Sequence, residues 1–306
     1  MSTPLGLALG FALDRALGDP RRWHPVAGFG TGAAALERVT YRDGRVAGVV
    51  HEVVAVGSVL ALGRWLGRGG WPAVALATWT VLGGTSLART GRRMADALES
   101  GDIEGARALL PALCGRDPAY LDADGLARAA LESIAENTSD ATVAPLFWGA
   151  VAGVPGLLGY RAVNTMDAMI GYRNARHRRF GWAAARVDDL ANLLPARLTG
   201  ALTVALAPLL GGSAAGALAA WRRDARAHPS PNAGVAEATA AGALGIRLGG
   251  PTRYAHGTEL RPVLGDGRSP EVADLRRAVV LSELVQLGAV VVVGALSTIS
   301  QRRERP

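Results

Sequence analysis

The chain has 306 residues, of which 49% are hydrophobic and 19% are charged, with a formal net charge of +7 and a mean hydropathy of +0.19. This balance excludes an ordinary soluble enzyme and a bundle made only of membrane spans, and it predicts a membrane protein with sizeable polar segments. All 33 basic residues are Arg and Cys114 is the single cysteine, which excludes Lys-based phosphate loops, Schiff-base chemistry, internal disulfides and Cys-based zinc sites.

Long apolar runs, taken in chain order, predict helices that cross the bilayer. The candidate spans are residues 2–17, 46–63, 71–88, 141–160, 198–221 and 284–301. Lipid offers no partner to an open backbone, so these runs should be helical, and their Ala and Gly content suits close packing. The second run contains His51 and Glu52, which we interpret as an inward-facing polar pair.

The predicted fold class is therefore all-α. It is a polytopic membrane helical bundle of about 4–6 spans, forming a single integral membrane domain in the cell membrane. The alternative is a soluble all-α protein with buried helices, but several separate runs of this length are hard to hide in a soluble core.

Three polar segments are expected to carry the functional site: residues 89–140, 161–197 and 222–277. Two of the polar segments are long enough to hold their own helices. The apolar run at 141–160 decides how the first two relate. If that run crosses the membrane fully, they face opposite sides, and the Arg excess favours 161–197 as cytoplasmic. If the run is re-entrant, both can share one side.

Helix signals are clear in two of these segments. "DADGLARAALESIAENTSD" starts with Asp122 or Asp124 as the N-cap of a helix. "AAARVDDLANLLPARL" predicts an amphipathic helix that kinks or ends near Pro195.

Acidic side chains precede the 141–160 run in "ESIAENTSD". On a regular helix Glu132, Glu136 and Asp140 lie at i, i+4 and i+8, roughly on one face, and Asn137 lies near Asp140. Stacked carboxylates repel one another unless a cation lies between them, and hard oxygen ligands suit Mg²⁺. A solvated acidic face is the alternative, although unpaired charge beside an apolar span is costly.

The segment 161–197 alternates acidic, basic and acidic groups. Its candidate site residues are Asn164, Asp167, Arg173, Arg176, Arg179, Asp188, Asp189 and Asn192. The order suggests an anion clamp between two cation sites, as phosphoryl transfer requires. The alternative is a basic surface loop that binds lipid phosphates.

Two further stretches contain turn signals. Ser230-Pro231-Asn232 predicts a turn and a helix N-cap, and Gly249-Gly250-Pro251 predicts a tight turn that leads to Arg253 and Tyr254. His24 lies in a Pro-rich exit after the first apolar run. Loop geometry alone is the alternative interpretation of each.

Together these stretches resemble the adenosylcobinamide-phosphate synthase (CobD/CbiB) family of membrane proteins. The resemblance rests on "DRALGDPRRWHPV", "ESIAENTSDATVAPLFW", "GLLGYRAVNTMDAMIGYRN", "FGWAAARVDDLANLLPARLTG" and "SPNAGVAEATAAGALGIRLGGPTRY", which run in family order from residue 14 to 254. It implies ATP-dependent amide synthesis between adenosylcobyric acid and (R)-1-aminopropan-2-ol or its phosphate, giving adenosylcobinamide (phosphate).

The chemistry of that reaction suggests roles as hypotheses, with ATP as co-substrate and Mg²⁺ as the metal. The candidate Mg²⁺ ligands are Glu132, Glu136, Asp140, Asp188 and Asp189. The candidate catalytic groups are Glu136, His24 and Asp189. The candidate substrate-binding residues are Asn137, Asn164, Asp167, Arg173, Arg176, Arg179, Asn192, Asn232, Arg253 and Tyr254.

The expected partners are the corrinoid substrate, aminopropanol phosphate and the lipid bilayer, with other membrane-associated cobalamin synthases as candidates. No nucleic acid is expected, because the basic charge is not gathered into an aromatic-rich module. An Mg²⁺-dependent intramembrane prenyltransferase is the alternative enzyme, although DDxxN occurs only once. A transporter would predict inverted repeats, and none is evident.

Overall fold

The computed structural model describes residues 2–20, 24–172, 174–254 and 257–303, apart from the side chains of Ser2 and of residues 252–259 and 297–303. The chain folds into two compact units, each built from separate stretches of sequence, and the single integral membrane domain stays a prediction. Unit 1 comprises Met1–Gly83, Asp140–Leu193 and Val290–Pro306, and unit 2 comprises Gly84–Ser139 and Leu194–Ala289.

Helices form almost all of both units. Unit 1 contains α1 (Ser2–Leu17), α2 (Pro25–Thr40), α3 (Arg45–Leu66), α4 (Gly70–Val81), α8 (Ala144–Ile170), α9 (His177–Phe180) and α10 (Trp182–Ala191). Unit 2 contains α5 (Gly84–Glu99), α6 (Ile103–Leu109), α7 (Ala123–Thr138), α11 (Leu193–Leu206), α12 (Ala214–Asp224), α13 (Ala233–Leu244) and most of α14 (Val272–Arg303).

Within the described residues, four helical stretches are long and apolar enough to cross a membrane: Arg45–Glu99, Ala123–Ile170, Leu193–Leu210 and Val272–Leu296. The predicted all-α polytopic membrane bundle is therefore confirmed. Besides the run at 141–160, two candidate spans are interrupted. The run at 71–88 breaks at Leu82 and Gly83, between α4 and α5, and the run at 198–221 breaks at Gly211, whose φ of +66° ends a 3-10 turn.

Small residues allow apolar helices to pack closely, as predicted. Gly6 and Gly10 of α1 are one turn apart and face α4. A Cβ added at Gly6 would lie 2.6 Å from Cβ of Val74, and one at Gly10 would lie 2.5 Å from the carbonyl oxygen of Ala75. This small-xxx-small pattern lets the two backbones approach, as in membrane helix pairs.

The helix α8 is a hairpin and not a straight span. Its backbone leaves the helical region at Gly153, where φ is +62° and ψ is −140°, and Pro155 follows at the start of the second arm. A Cβ at Gly156 would lie 2.0 Å from the carbonyl oxygen of Trp148. These residues would be about 12 Å apart along a straight helix, so the chain reverses between them.

This reversal answers the question that the sequence leaves open for the run at 141–160. Asp140 and Asn164, at the two ends of the run, lie 3.3 Å apart through Nδ2 and Oδ2. The run therefore begins and ends at the same place in unit 1 and is not a straight span. Such backbone is tolerated where protein surrounds it, and Leu146, Val154 and Leu157 are almost fully buried.

The β structure of the described residues is one antiparallel hairpin in unit 2, β1 (Leu248–Tyr254) with β2 (Gly257–Leu264). The prediction of a tight turn at Gly249-Gly250-Pro251 is wrong. These residues lie in β1 beside a bulge, with φ of +76° at Gly249 and +79° at Gly250. Positive φ favours glycine both in turns and in bulges, so the sequence signal was ambiguous.

Candidate functional site

The α8 hairpin brings together residues that are far apart in the sequence. Asn164 follows Asp140 by 24 residues, about 36 Å along a straight helix, yet its Nδ2 donates to Oδ2 of Asp140 at 3.3 Å. Indole Nε1 of Trp148, in the first arm, donates to the carbonyl of Ala191 at 2.9 Å and so ties the hairpin to α10. Sequence-predicted polar residues from both ends of the apolar run, Asp140 and Asn164, therefore meet in unit 1.

A chain of hydrogen bonds continues from Asn164 into α10. Its Nδ2 also lies 3.4 Å from Oδ1 of Asp188, and Nδ2 of Asn192 donates to Oδ2 of Asp188 at 3.0 Å. The hydroxyl of Tyr160 donates to Oδ1 of Asn192 at 2.9 Å. Four sequence-predicted residues, Asp140, Asn164, Asp188 and Asn192, thus form one connected arrangement.

We call the carboxylates around this arrangement the acidic cluster: Glu52, Asp140, Asp167 and Asp188. Burial, followed by the negative charge of Asp167, raises the pKa of Asp188 to about 7. Asp188 has no cationic partner among the described residues; its hydrogen bonds come from neutral amides. A cation placed there would relieve both the burial penalty and the repulsion.

Glu52 of α3 joins the cluster from the opposite helix. Its side chain is 4% exposed, and both of its carboxylate oxygens lack a hydrogen-bond partner among the described residues. Asp167 and Asp188 are its electrostatic neighbours. The inward-facing pair predicted at His51 and Glu52 is confirmed, since His51 is also buried and bonds Thr40 through Nδ1 at 2.8 Å.

The oxygen ligands of the acidic cluster are of the type that Mg²⁺ prefers. Within the described residues, no three or more His, Cys, Asp or Glu side chains are arranged to hold a metal ion by themselves. Mg²⁺ usually keeps several waters and takes one or two carboxylates together with substrate phosphates. Asp140 and Asp188, joined by Asn164, meet that smaller requirement. Asp189 lies beside Asp188 and pairs with Arg186 at 3.4 Å.

The stretch that holds the three predicted stacked acids is not one regular helix. The N-cap of α7 is Asp122, whose Oδ1 accepts from Gly125, and α7 ends at Thr138. A π-helical turn, Ser139–Val143, follows. A π turn is wider than an α turn, so the predicted one-turn spacing holds for Glu132 and Glu136 but not for Asp140. Glu132 and Glu136 belong to unit 2, whereas Asp140 belongs to unit 1.

Glu132 lies in a second buried polar arrangement, entirely within unit 2. The guanidinium of Arg116 forms a salt bridge with Oε2 of Glu132, and Nη1 of Arg261 lies 3.6 Å from the same oxygen. The backbone N–H of Gly249 donates to Oε1 at 2.7 Å. Both oxygens of Glu132 are thus held by protein donors. We call Arg116, Glu132, Arg261, His228 and Glu237 the arginine-bridged network.

His228 continues this network. Its Nε2 lies 3.1 Å from Nη2 of Arg261, and because a guanidinium can only donate, Nε2 accepts. Nδ1 lies 3.1 Å from both the backbone nitrogen and the carbonyl oxygen of Ser230. Burial first, and then the charge of Arg261, lower the pKa of His228. Burial and the charges of Glu132 and Glu136 raise the pKa of Glu237 well above its usual range.

The Arg residues predicted as an anion clamp are engaged by acids of unit 1. Nη2 of Arg176 lies 2.8 Å from Oε1 of Glu37, and His177 binds the same oxygen at 3.2 Å. Although burial alone would raise it, these hydrogen bonds hold the pKa of Glu37 below its usual value. Arg179 faces Asp43 at 3.7 Å on the exposed surface. Arg173 lies outside the described residues.

The remaining predicted residues have local roles. Nδ1 of His24 accepts from the backbone N–H of Val26 as the N-cap of α2, and Asn137 donates to the carbonyl and hydroxyl oxygens of Ser133. Asn232, 7% exposed, accepts from Nη1 of Arg197 at 2.7 Å. The side chains of Arg253 and Tyr254 lie outside the described residues.

Sequence reasoning did not assign Arg116, Arg261, His228 or Glu237 to a site. His228 and Glu237 flank the predicted turn at Ser230–Asn232, but nothing local indicates their partners, and only the fold brings these four residues to Glu132. Glu52 did carry a signal, since an ionisable residue inside an apolar span is rare and functional more often than not.

Comparisons with known proteins identify the family of the chain. A family model described as "CobD/Cbib protein" matches residues 7–282. The cobalamin biosynthesis protein CobD of Mycobacterium tuberculosis (strain ATCC 25618 / H37Rv) is 62% identical over 304 residues, covering 98% of this chain and 96% of that protein. The cobalamin biosynthesis protein CobD of Rhodobacter capsulatus is 43% identical over 309 residues, covering 96% of this chain and 97% of that protein. No solved structure matches.

Proposed function

The chain belongs to the CobD/CbiB family of cobalamin biosynthesis proteins, and from this premise we propose that it joins adenosylcobyric acid to (R)-1-aminopropan-2-ol or its phosphate through an amide bond, with ATP as co-substrate. The observation that carries the proposal is the acidic cluster, where Asp140, Asn164 and Asp188 from distant parts of the sequence meet. Free carboxylates are poor acyl donors to amines, so ATP would convert the corrin carboxylate to an acyl phosphate before the amine attacks.

Asp140 and Asp188 would hold Mg²⁺, with Asp189 beside them. When bound, Mg²⁺ would offset the negative charge of the phosphate groups of ATP. Asn164 and Asn192 already donate to the cluster carboxylates and would fix their orientation. A ligand role for Glu132 and Glu136 stays a prediction, and both oxygens of Glu132 already have protein donors.

The amine must lose a proton to attack, so a base is required. His24 fits a capping role better, because its Nδ1 lone pair accepts from the backbone and further protonation would break the cap. Glu136 and Asp189 remain the candidate bases. A phosphate contact by Arg176 would have to displace Glu37, so Arg176 and Arg179 stay predictions.

The direct test uses purified full-length protein in detergent with adenosylcobyric acid, aminopropanol phosphate, ATP and Mg²⁺. We expect the amide product by mass spectrometry, and its loss when ATP is omitted. Glu136→Gln should abolish the product while membrane insertion is unchanged. Folded protein that makes no amide, or that instead consumes a prenyl diphosphate, would overturn the proposal.

A further inference from the structure

A cleft of about 690 Å³ opens in unit 2 between the start of α11, the end of α12 and the turn before α13. Its polar lining consists of Arg197, Trp221, Arg222, Arg226 and His228, and Pro229 and Pro231 form one edge. No carboxylate is among the described residues that line it. The cleft is therefore lined by three guanidinium groups, an imidazole and an indole.

Two of the charges in this cleft, those of Arg222 and Arg226, are not neutralised by any described residue. Arg222 and Arg226 are exposed and form no hydrogen bond or ion pair with any described residue. The neighbouring Arg223 differs, since Asp224 and Asp266 bind it at 2.7 Å and 2.8 Å. Like charges held in one cleft repel, and an anion between them relieves that repulsion.

Hydrogen bonds within the protein already hold the residues at the base of the cleft in place. Arg197 is held by buried Asn232 at 2.7 Å. The backbone N–H groups of Asn232 and Ala233 are satisfied by the hydroxyl of Ser230 at 3.3 Å and 3.2 Å. The first amides of α13 are thus occupied, and the guanidinium groups are the donors that remain for an anion. Because Arg presents a planar fork of N–H donors, it suits phosphate oxygens.

We propose that this cleft binds the phosphate group of a ligand, with Trp221 and the two prolines covering its less polar part. The site is separate from the acidic cluster and does not depend on the amide-forming reaction. A soluble phosphate compound and the headgroup of an anionic phospholipid share the required chemistry, so the test has an arm for each.

The soluble arm measures binding of tripolyphosphate to the full-length protein in uncharged detergent, by titration calorimetry in phosphate-free buffer. The lipid arm measures retention of phosphatidylglycerol against phosphatidylcholine by native mass spectrometry. The test variant is Arg222→Gln with Arg226→Gln. The matched control is Arg89→Gln with Arg93→Gln, two exposed arginines of α5 that likewise lack a partner among the described residues.

We expect the test variant to weaken binding in at least one arm by about tenfold or more, as loss of charge-assisted hydrogen bonds predicts, and the control to bind like wild type. Loss only in the soluble arm assigns a soluble phosphate compound, and loss only in the lipid arm assigns a headgroup. No binding in either arm, or equal loss in test and control variants, would overturn the proposal. Circular dichroism of all variants should match wild type, because the substituted side chains are exposed and unbonded.

Discussion

Asp188 of unit 1 and Glu132 of unit 2 are both carboxylates within helical packing, but their neighbours differ in charge. Asp188 receives hydrogen bonds from the neutral amides of Asn164 and Asn192. Glu132 lies between the guanidinium groups of Arg116 and Arg261. We call Asp188 the open carboxylate, because no described cationic side chain neutralises it and an added cation would suit it. We call Glu132 the closed carboxylate, because the two guanidinium groups already neutralise its charge. Carboxylates that look alike in the sequence therefore differ in what they can do.

The largest expected effect comes from removing the open carboxylate. Asp188→Asn should lower the rate of amide formation by about 10–100-fold or more, because a cation ligand is lost, while thermal stability without Mg²⁺ is kept. Product formation by mass spectrometry and thermal unfolding check the two halves. Asp266→Asn, an exposed acid that pairs with Arg223, is the control. Near-normal turnover of Asp188→Asn would remove Asp188 from the site.

The closed carboxylate should respond in the opposite sense. Glu132→Gln leaves the buried guanidinium of Arg116 without its counterion, which should reduce the free energy of unfolding by about 3–5 kcal/mol. Glu104→Gln is the matched control, because Glu104 pairs with Arg107 on the surface with its side chain 82% exposed, and it should change stability by less than about 1 kcal/mol. Equal melting temperatures for both variants would show that Glu132 is not closed by ion pairing.

Glu52 sharpens the comparison inside unit 1. Both of its oxygens are buried without a partner among the described residues, so Glu52→Gln should raise stability in Mg²⁺-free buffer by about 1–3 kcal/mol. The same variant should gain less stability than wild type when Mg²⁺ is added. Thermal unfolding with and without Mg²⁺ measures both quantities. A lower melting temperature in the absence of Mg²⁺ would mean that the protein, and not a cation, stabilises Glu52.

The smallest expected effect is on pH dependence. The pKa of Asp188 is raised to about 7, so in Mg²⁺-free protein its proton favours the folded state, and stability falls as the pH rises from about 4 through 7. Mg²⁺ binding must displace that proton, so Mg²⁺ affinity should increase over the same range. Calorimetric titrations with Mg²⁺ at pH 6 and pH 8 test this, and Asp188→Asn should flatten the dependence. An affinity independent of pH in wild type would contradict it.

The sequence was informative about helices and about which residue types could form a site, because apolar runs and caps are local signals. Asp122 as the N-cap of α7 and the polar pair at His51 and Glu52 were recognisable for that reason. The contact between Asp140 and Asn164 was not, because it depends on a reversal at Gly153 inside a run that reads equally well as a straight span.

The sequence also could not show which distant side chains and strands pair with one another. Nothing near Glu132 in the sequence indicates that Arg116 and Arg261 neutralise it, since the second lies more than a hundred residues away. The β hairpin was missed because its Gly-Gly-Pro sequence is typical of a turn. Long-range pairing thus decides which of several similar carboxylates remain open.

The hairpin in α8 also bears on how the chain enters the bilayer. Residues 161–197 carry seven Arg, and moving them across lipid would be costly for each charge. Because Asp140 and Asn164, at the two ends of the hairpin, are in contact, the chain leaves the hairpin on the side where it enters, and inserting the hairpin translocates none of these Arg residues. Removing the hairpin would therefore leave the orientation of every later span unchanged.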